Sequence, residues 1–350
     1  MDAEAQPFKA TDDQRARLIS SLEPFADVLD EDFRFPSRHA LTRYITSWFE
    51  GFHSHMPFIH CPTWNITDHP IELVLGIAAV GAQYCFEHKS SERLFFAGKT
   101  ILLERLAATA DRFGPRTSSS LALISPNSRR STNSHIASLY FDPVEAIRTL
   151  IALMGFATWE PKPEMVREAF ALQGLLAQVL RDIGLDEDDT SDKPSEQAKT
   201  SCTNRRNNSQ TAWTAWVAEE SRRRSKLIAF SFLHTHSVAY NVYPVLRSNE
   251  IKLRLPCSTK EWKAASATSW LAATKEVKKQ QLYFLDALSL LLKNNGSSSN
   301  CAPLDPIPTP LGNYVLLHGL LQRIHIVRDL SLPVMGDSAE LPSEEVTKLE

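Results

Sequence analysis

Glycine is scarce in this chain, 12 in 350 residues, about half the usual share of roughly 7%. Folds with many tight turns need more positions that tolerate left-handed backbone, so they are disfavoured. Cysteine is sparse too, and Cys61, Cys85, Cys202, Cys257 and Cys301 never form a Cys-x-x-Cys pair. No zinc finger can be assembled from them, and their spacing fits reduced thiols in a reducing compartment. Positive charge is not in excess: the net charge is -3 and the pI is near 6.4. The chain therefore lacks the basic footprint that displaces counterions from a phosphate backbone, and unaided DNA binding is not expected. No apolar run reaches membrane length. The longest, Ile71 to Phe86, is interrupted by Glu72 and Gln83, leaving less than the roughly 18 apolar residues of a span. The first residues, Met1-Asp-Ala-Glu-Ala5, carry acids instead of an apolar signal core, which points to an intracellular protein. A Gly-x-Ser-x-Gly elbow and a glycine-rich phosphate loop are also missing. The chain reads as a non-enzyme, with no catalytic, cofactor-binding or metal-binding residue nominated and no cofactor expected.

What is present is apolar material in helical rhythm. At 43% hydrophobic, the chain can bury one large core or two ordinary ones without a metal or disulfide staple. Asp142-Pro-Val-Glu145 sets a capping acceptor, a proline at the first helical position and a glutamate three residues on, ahead of Ile147, Leu150, Ile151 and Met154. From Pro163, Met165, Ala169, Leu172, Leu176, Val179 and Ile183 recur at steps of four and three, and Gly184 follows where a C-terminal cap belongs. A long helix from about Gln210 to Tyr240 is predicted, with Trp213, Trp216, Val217, Leu227 and Phe230 on its core face and a place at the centre of a bundle. Segments near 114–135, 186–210 and 293–310 are rich in Ser, Asn, Asp or Pro; they read as disordered loop inserts. The expected fold is all-α, a single multi-helix bundle-like domain over 40–330, with a leader over 1–39 and a tail over 331–350.

Two distant segments stand out. In the first, His53-Ser-His-Met-Pro57-Phe-Ile-His60-Cys-Pro62-Thr-Trp64 reverses the chain, with the prolines stopping a helix and Phe58, Ile59 and Trp64 anchoring the turn. A small-residue helix, Leu73 to Cys85, follows, in which Ala78, Ala79, Gly81 and Ala82 permit close approach. In the second, Trp213 and Trp216 precede Glu220, Arg222 and Arg223, and later come Leu255-Pro-Cys257, Trp262 and Trp270. With Arg181-Asp-Ile-Gly184-Leu185 and the segment Pro310 to Leu330, this order resembles the fungal-specific transcription factor domain, the helical regulatory region of many fungal zinc-finger regulators. The tail is closest to the type that follows paired Cys/His fingers. The resemblance implies regulation of fungal genes in the nucleus, secondary-metabolite clusters being a common setting. It also implies a protein partner or a homodimer and a small-molecule effector. DNA would be reached indirectly or through an N-terminal zinc module, which this sequence lacks.

Three groups carry competing readings. His53, His55, His60 and Cys61 offer zinc-type donor atoms, but the prolines and apolar anchors explain that segment without a metal. Asp188-Asp189-Thr-Ser-Asp192 spells the magnesium motif of all-α terpene cyclases, which requires carboxylates lining a cavity from one helix face. Here they follow the helix stop at Gly184 and precede Pro194, as a solvated loop would. Arg222-Arg-Arg-Ser-Lys226 could contact phosphate, yet Glu219 and Glu220 stand three and four positions before its arginines, the spacing of helical ion pairs. The alternatives to a regulator are thus an all-α metal-dependent enzyme using Asp188, Asp189 and Asp192 or the histidine group, and a helical interaction module without a transcriptional role.

Overall fold

Helices begin where a side-chain acceptor precedes an apolar period. A computed structural model describes residues 8–109, 142–187, 202–293 and 304–331. Thr11 and Gln14 form a reciprocal capping box ahead of α1 (Asp12–Ser20), and Ser37 accepts from the Ala40 amide at the head of α2 (Arg38–Glu50). The short α3 (Phe52–His55) leads to α4 (Ile71–Tyr84) and α5 (His88–Ala108). Asp142 caps α6 (Pro143–Trp159) by accepting from the Val144 amide at 2.8 Å. Glu145 does not close the expected box; its carboxylate turns to His69 and Arg148, where charge pairing outweighs a neutral cap. After α7 (Pro163–Asp182), Gly184 takes φ +78°, the left-handed geometry that ends a helix. The remaining helices are α8 (Cys202–Tyr240), α9 (Thr259–Trp262), α10 (Ala267–Glu276), α11 (Phe284–Lys293) and α12 (Pro310–Ser331). Among the described residues the fold is all-α, with only two isolated β-bridges, Asp186 to Lys252 and Arg254 to Tyr283.

The centre is held by α4 and α6. Every residue from Ile71 to Ala82 and from Ala146 to Ala157 is buried, and each Leu, Ile or Phe so removed from water contributes roughly 1.5–3 kcal/mol. Small residues set their approach: a Cβ on Gly76 would meet the Ala152 methyl at 3.2 Å, and one on Gly81 would fall 1.9 Å from the Tyr44 carbonyl oxygen of α2. The long α8 takes its expected central place over part of its length. Its second half, from Glu220 to Ser237, is largely buried, while the turns before it lie at the surface. There Trp213, Val217 and Ala267 form a satellite cluster, with Trp216 half-buried against Trp270 at 5.4 Å. One continuous core otherwise runs from Ala10 to Leu316.

The segments read as loop inserts fall mainly on residues outside those described, 114–135 entirely. Within 186–210, however, Asp186 and Glu187 are pinned to 252–254 and α8 begins at Cys202. Leu304 packs on the core, and α12 opens at Pro310.

Candidate functional site

The two segments singled out in the sequence meet at one buried carboxylate. Glu220 on α8 is fully buried. One of its oxygens accepts from Arg224 Nε at 2.8 Å and from the Cys257 amide at 3.0 Å, and the other accepts from Arg223 Nη1. Burial alone would raise its pKa; the Arg224 and Arg223 guanidinium groups reverse that and hold it below the usual carboxylate range. Arg223 continues to Glu187, which also accepts from the Arg254 amide at 3.0 Å. Arg224 lies 4.0 Å over the Trp262 ring and reaches the Pro57 carbonyl. A single charge network therefore ties α8 to the turn after α3, to the end of α7 and to the 253–262 segment. The rest of the basic run is also occupied: Arg222 pairs with Glu219 at 2.7 Å, and Lys226 is buried, its pKa lowered by desolvation. Ser225 is buried between the Ser221 carbonyl and Arg148 Nε, which closes it to a kinase.

The histidines of the turn are structural in this geometry. His53 is buried, and its Nε2 accepts from the Ile59 amide at 3.0 Å. Burial lowers its pKa to about 3. His60 sits edge-on to Trp262 at 4.9 Å and shares a hydrogen bond with Thr63 Oγ1 at 2.9 Å, and burial lowers its pKa to about 4. His55 and Cys61 are exposed, and Cys61 Sγ stands 3.8 Å from His53 Nδ1. Among the described residues no group of three or more His, Cys, Asp or Glu side chains is arranged to hold a metal ion. Asp188, Asp189 and Asp192 lie outside the described residues.

Beside this network lies a cleft of ≈ 330 Å³ between the turn after α3, the start of α6 and the middle of α8. Its wall carries Trp64 stacked on His69 at 4.5 Å, and His69 Nδ1 meets Glu145 at 3.1 Å. Arg148 bridges Glu145 to Ser225, with its Nε 3.0 Å from the hydroxyl. Burial would raise the Glu145 pKa, but the His69 hydrogen bond and the Arg148 charge bring it below its ordinary value. Sequence reasoning missed His69 and Arg148. The Glu145-to-Arg148 spacing is that of a helical ion pair, but the Asp142-Pro-Val-Glu145 pattern also fits a capping box. The cleft offers an aromatic face, ionised groups already matched to each other and an open mouth bearing Asp68, Asp142 and Arg222. Such a lining suits recognition of a polar small molecule more than proton transfer. A larger groove of ≈ 460 Å³ over the outer side of α2 includes Lys9, Arg38 and Arg43, but Arg38 and Arg43 already pair with Asp12 and Glu87.

A family model described as the fungal specific transcription factor domain matches residues 45–333. No curated protein and no solved structure matches the chain. The matched span contains the turn after α3 and all of α4 to α12, so both halves of the Glu220 network lie inside it.

Proposed function

This chain belongs to the fungal-specific transcription factor domain family, and on that premise we propose that it regulates fungal genes from the nucleus through its helical domain. The observation that carries the reading is the coincidence of the matched span with the Glu220 network. Net charge of -3 argues for reaching DNA through a partner or a separate zinc module instead of through this domain. Control would come from a shift between arrangements of the bundle, a partner or effector binding one arrangement more tightly than the other. The cleft at Trp64, His69 and Arg148 is where a polar effector fits. Secondary-metabolite biosynthesis genes are the proposed targets, a class carried by the family resemblance alone.

The test joins the chain to a heterologous DNA-binding domain upstream of a reporter and follows a fluorescently tagged copy in a fungal cell. Nuclear accumulation and a change in reporter output are expected. A copy excluded from the nucleus, together with an inert fusion, would overturn the reading in favour of a non-transcriptional module. Transcript profiling after deletion of the gene tests the target class.

A further inference from the structure

The last described helix, α12, carries apolar side chains on two sides, and the described residues cover only one of them. Val315, Leu316, His318, Gly319 and Gln322 are buried. A Cβ on Gly319 would meet Phe284 of α11 at 2.8 Å, and Gln322 receives the Ser248 amide and donates to the Leu246 carbonyl. On the opposite side Leu317, Leu321 and Ile324 are 50%, 38% and 63% exposed, with Val327 beside them at 44%. Steps of four and three place them in one stripe along the axis. An apolar stripe opposite a buried face is a docking surface in the making, and nothing among the described residues covers this one.

Size and charge say what covers it. From Leu317 to Arg328 the stripe runs about 16 Å, on a helix about 10 Å across. That footprint is far below the roughly 800 Å² per partner of a stable association between whole proteins, and it matches one short helix laid alongside. The stripe is flanked and closed by Arg323 and Arg328, both exposed and without an ion-pair partner among the described residues, while Asp329 is the helix's single acid. We propose that the Leu317–Leu321–Ile324 stripe of α12 docks an acidic amphipathic helix of a partner protein, its apolar side on the leucines and its carboxylates on Arg323 and Arg328. The inference deepens the regulator reading by naming the partner's chemistry.

The probe is a labelled peptide of about 18 residues, five turns, with leucine at the a and d positions and alanine and glutamate elsewhere. A second peptide carries lysine for glutamate. Binding to the purified full chain is followed by fluorescence anisotropy. The acidic peptide should bind, more weakly as salt rises, and Ile324→Asp should weaken it at least about tenfold (1.4 kcal/mol) without moving the thermal midpoint. The pair Arg323→Glu and Arg328→Glu should turn the preference toward the lysine peptide. The proposal fails if both peptides bind alike, if neither binds, or if Ile324→Asp changes nothing. It also fails if sedimentation shows a dimer that Ile324→Asp dissolves, because a second copy would then be the occupant. The measurement uses purified protein only, so its failure leaves the reporter and localisation results standing, and the reverse also holds.

Discussion

Glu220 gathers two guanidinium groups and one backbone amide while wholly out of water, so its removal strands charge instead of merely deleting contacts. Glu220→Ala should cost about 3–5 kcal/mol of stability, read as a lower urea midpoint with the slope unchanged. His236 presents the opposite case. It is buried between the rings of Phe170 and Tyr240, and neither of its ring nitrogens has a hydrogen-bond partner among the described residues. His236→Phe should therefore be neutral or stabilising by about 1 kcal/mol. Titration follows from the same burial. His60, His234, His236 and His318 have pKa values lowered from 6.5 to about 4. Such groups stay neutral in the folded chain while the unfolded chain takes up protons below 6.5, so stability is complete above that pH and is lost progressively between 6.5 and 4. Glu220 and Glu145, held below 4.5 when folded, act in the same direction in still more acidic solution. A thermal midpoint that falls steadily across the histidine window is expected, with a shallower slope in His236→Phe. A midpoint independent of pH there would contradict the burial of these rings.

Among the elements, α7 is the most legible, because its apolar steps of four and three mark one buried face. The small residues of α4 were legible as a capacity for close approach, but not their partners: sequence does not say that Gly81 faces the Tyr44 carbonyl. Gly81→Ala puts a methyl where a backbone oxygen already sits, and neither helix can yield as a flexible side chain would. The loss should reach or exceed the upper end of the 1–3 kcal/mol typical of overpacking, whereas Gly174→Ala, with nothing within 4 Å, should stabilise by about 0.5–1 kcal/mol. Comparing the two midpoints by chemical denaturation separates packing from helix propensity. For α8 the core face is legible, Leu227 and Phe230 being fully buried, but a periodic pattern does not report how much of the helix the rest of the chain covers.

Across the whole molecule, the local ion pairs from Glu219 and Glu220 were visible as spacings three and four apart. Their distant partners were not, since Glu187, the Cys257 amide and Trp262 meet them only through tertiary packing. The cleft was hidden for the same reason: Trp64 and His69 come from one part of the chain, Glu145 and Arg148 from another. Arg148→Met should leave Glu145 with His69 as its partner and Ser225 without its donor, destabilising by about 1–3 kcal/mol and raising the Glu145 pKa. Proton titration of that carboxyl by NMR would report the shift.

The Glu220 network also bears on how this protein can be cut. Residues near 57, 187, 223 and 257 converge on it, so removing any one of these segments strands the charges of the others. A splice form or proteolytic product that omits 245–262 would not be a shorter regulator with altered output. It would be a degradation substrate, and its abundance in the cell, more than its activity, would reveal the loss.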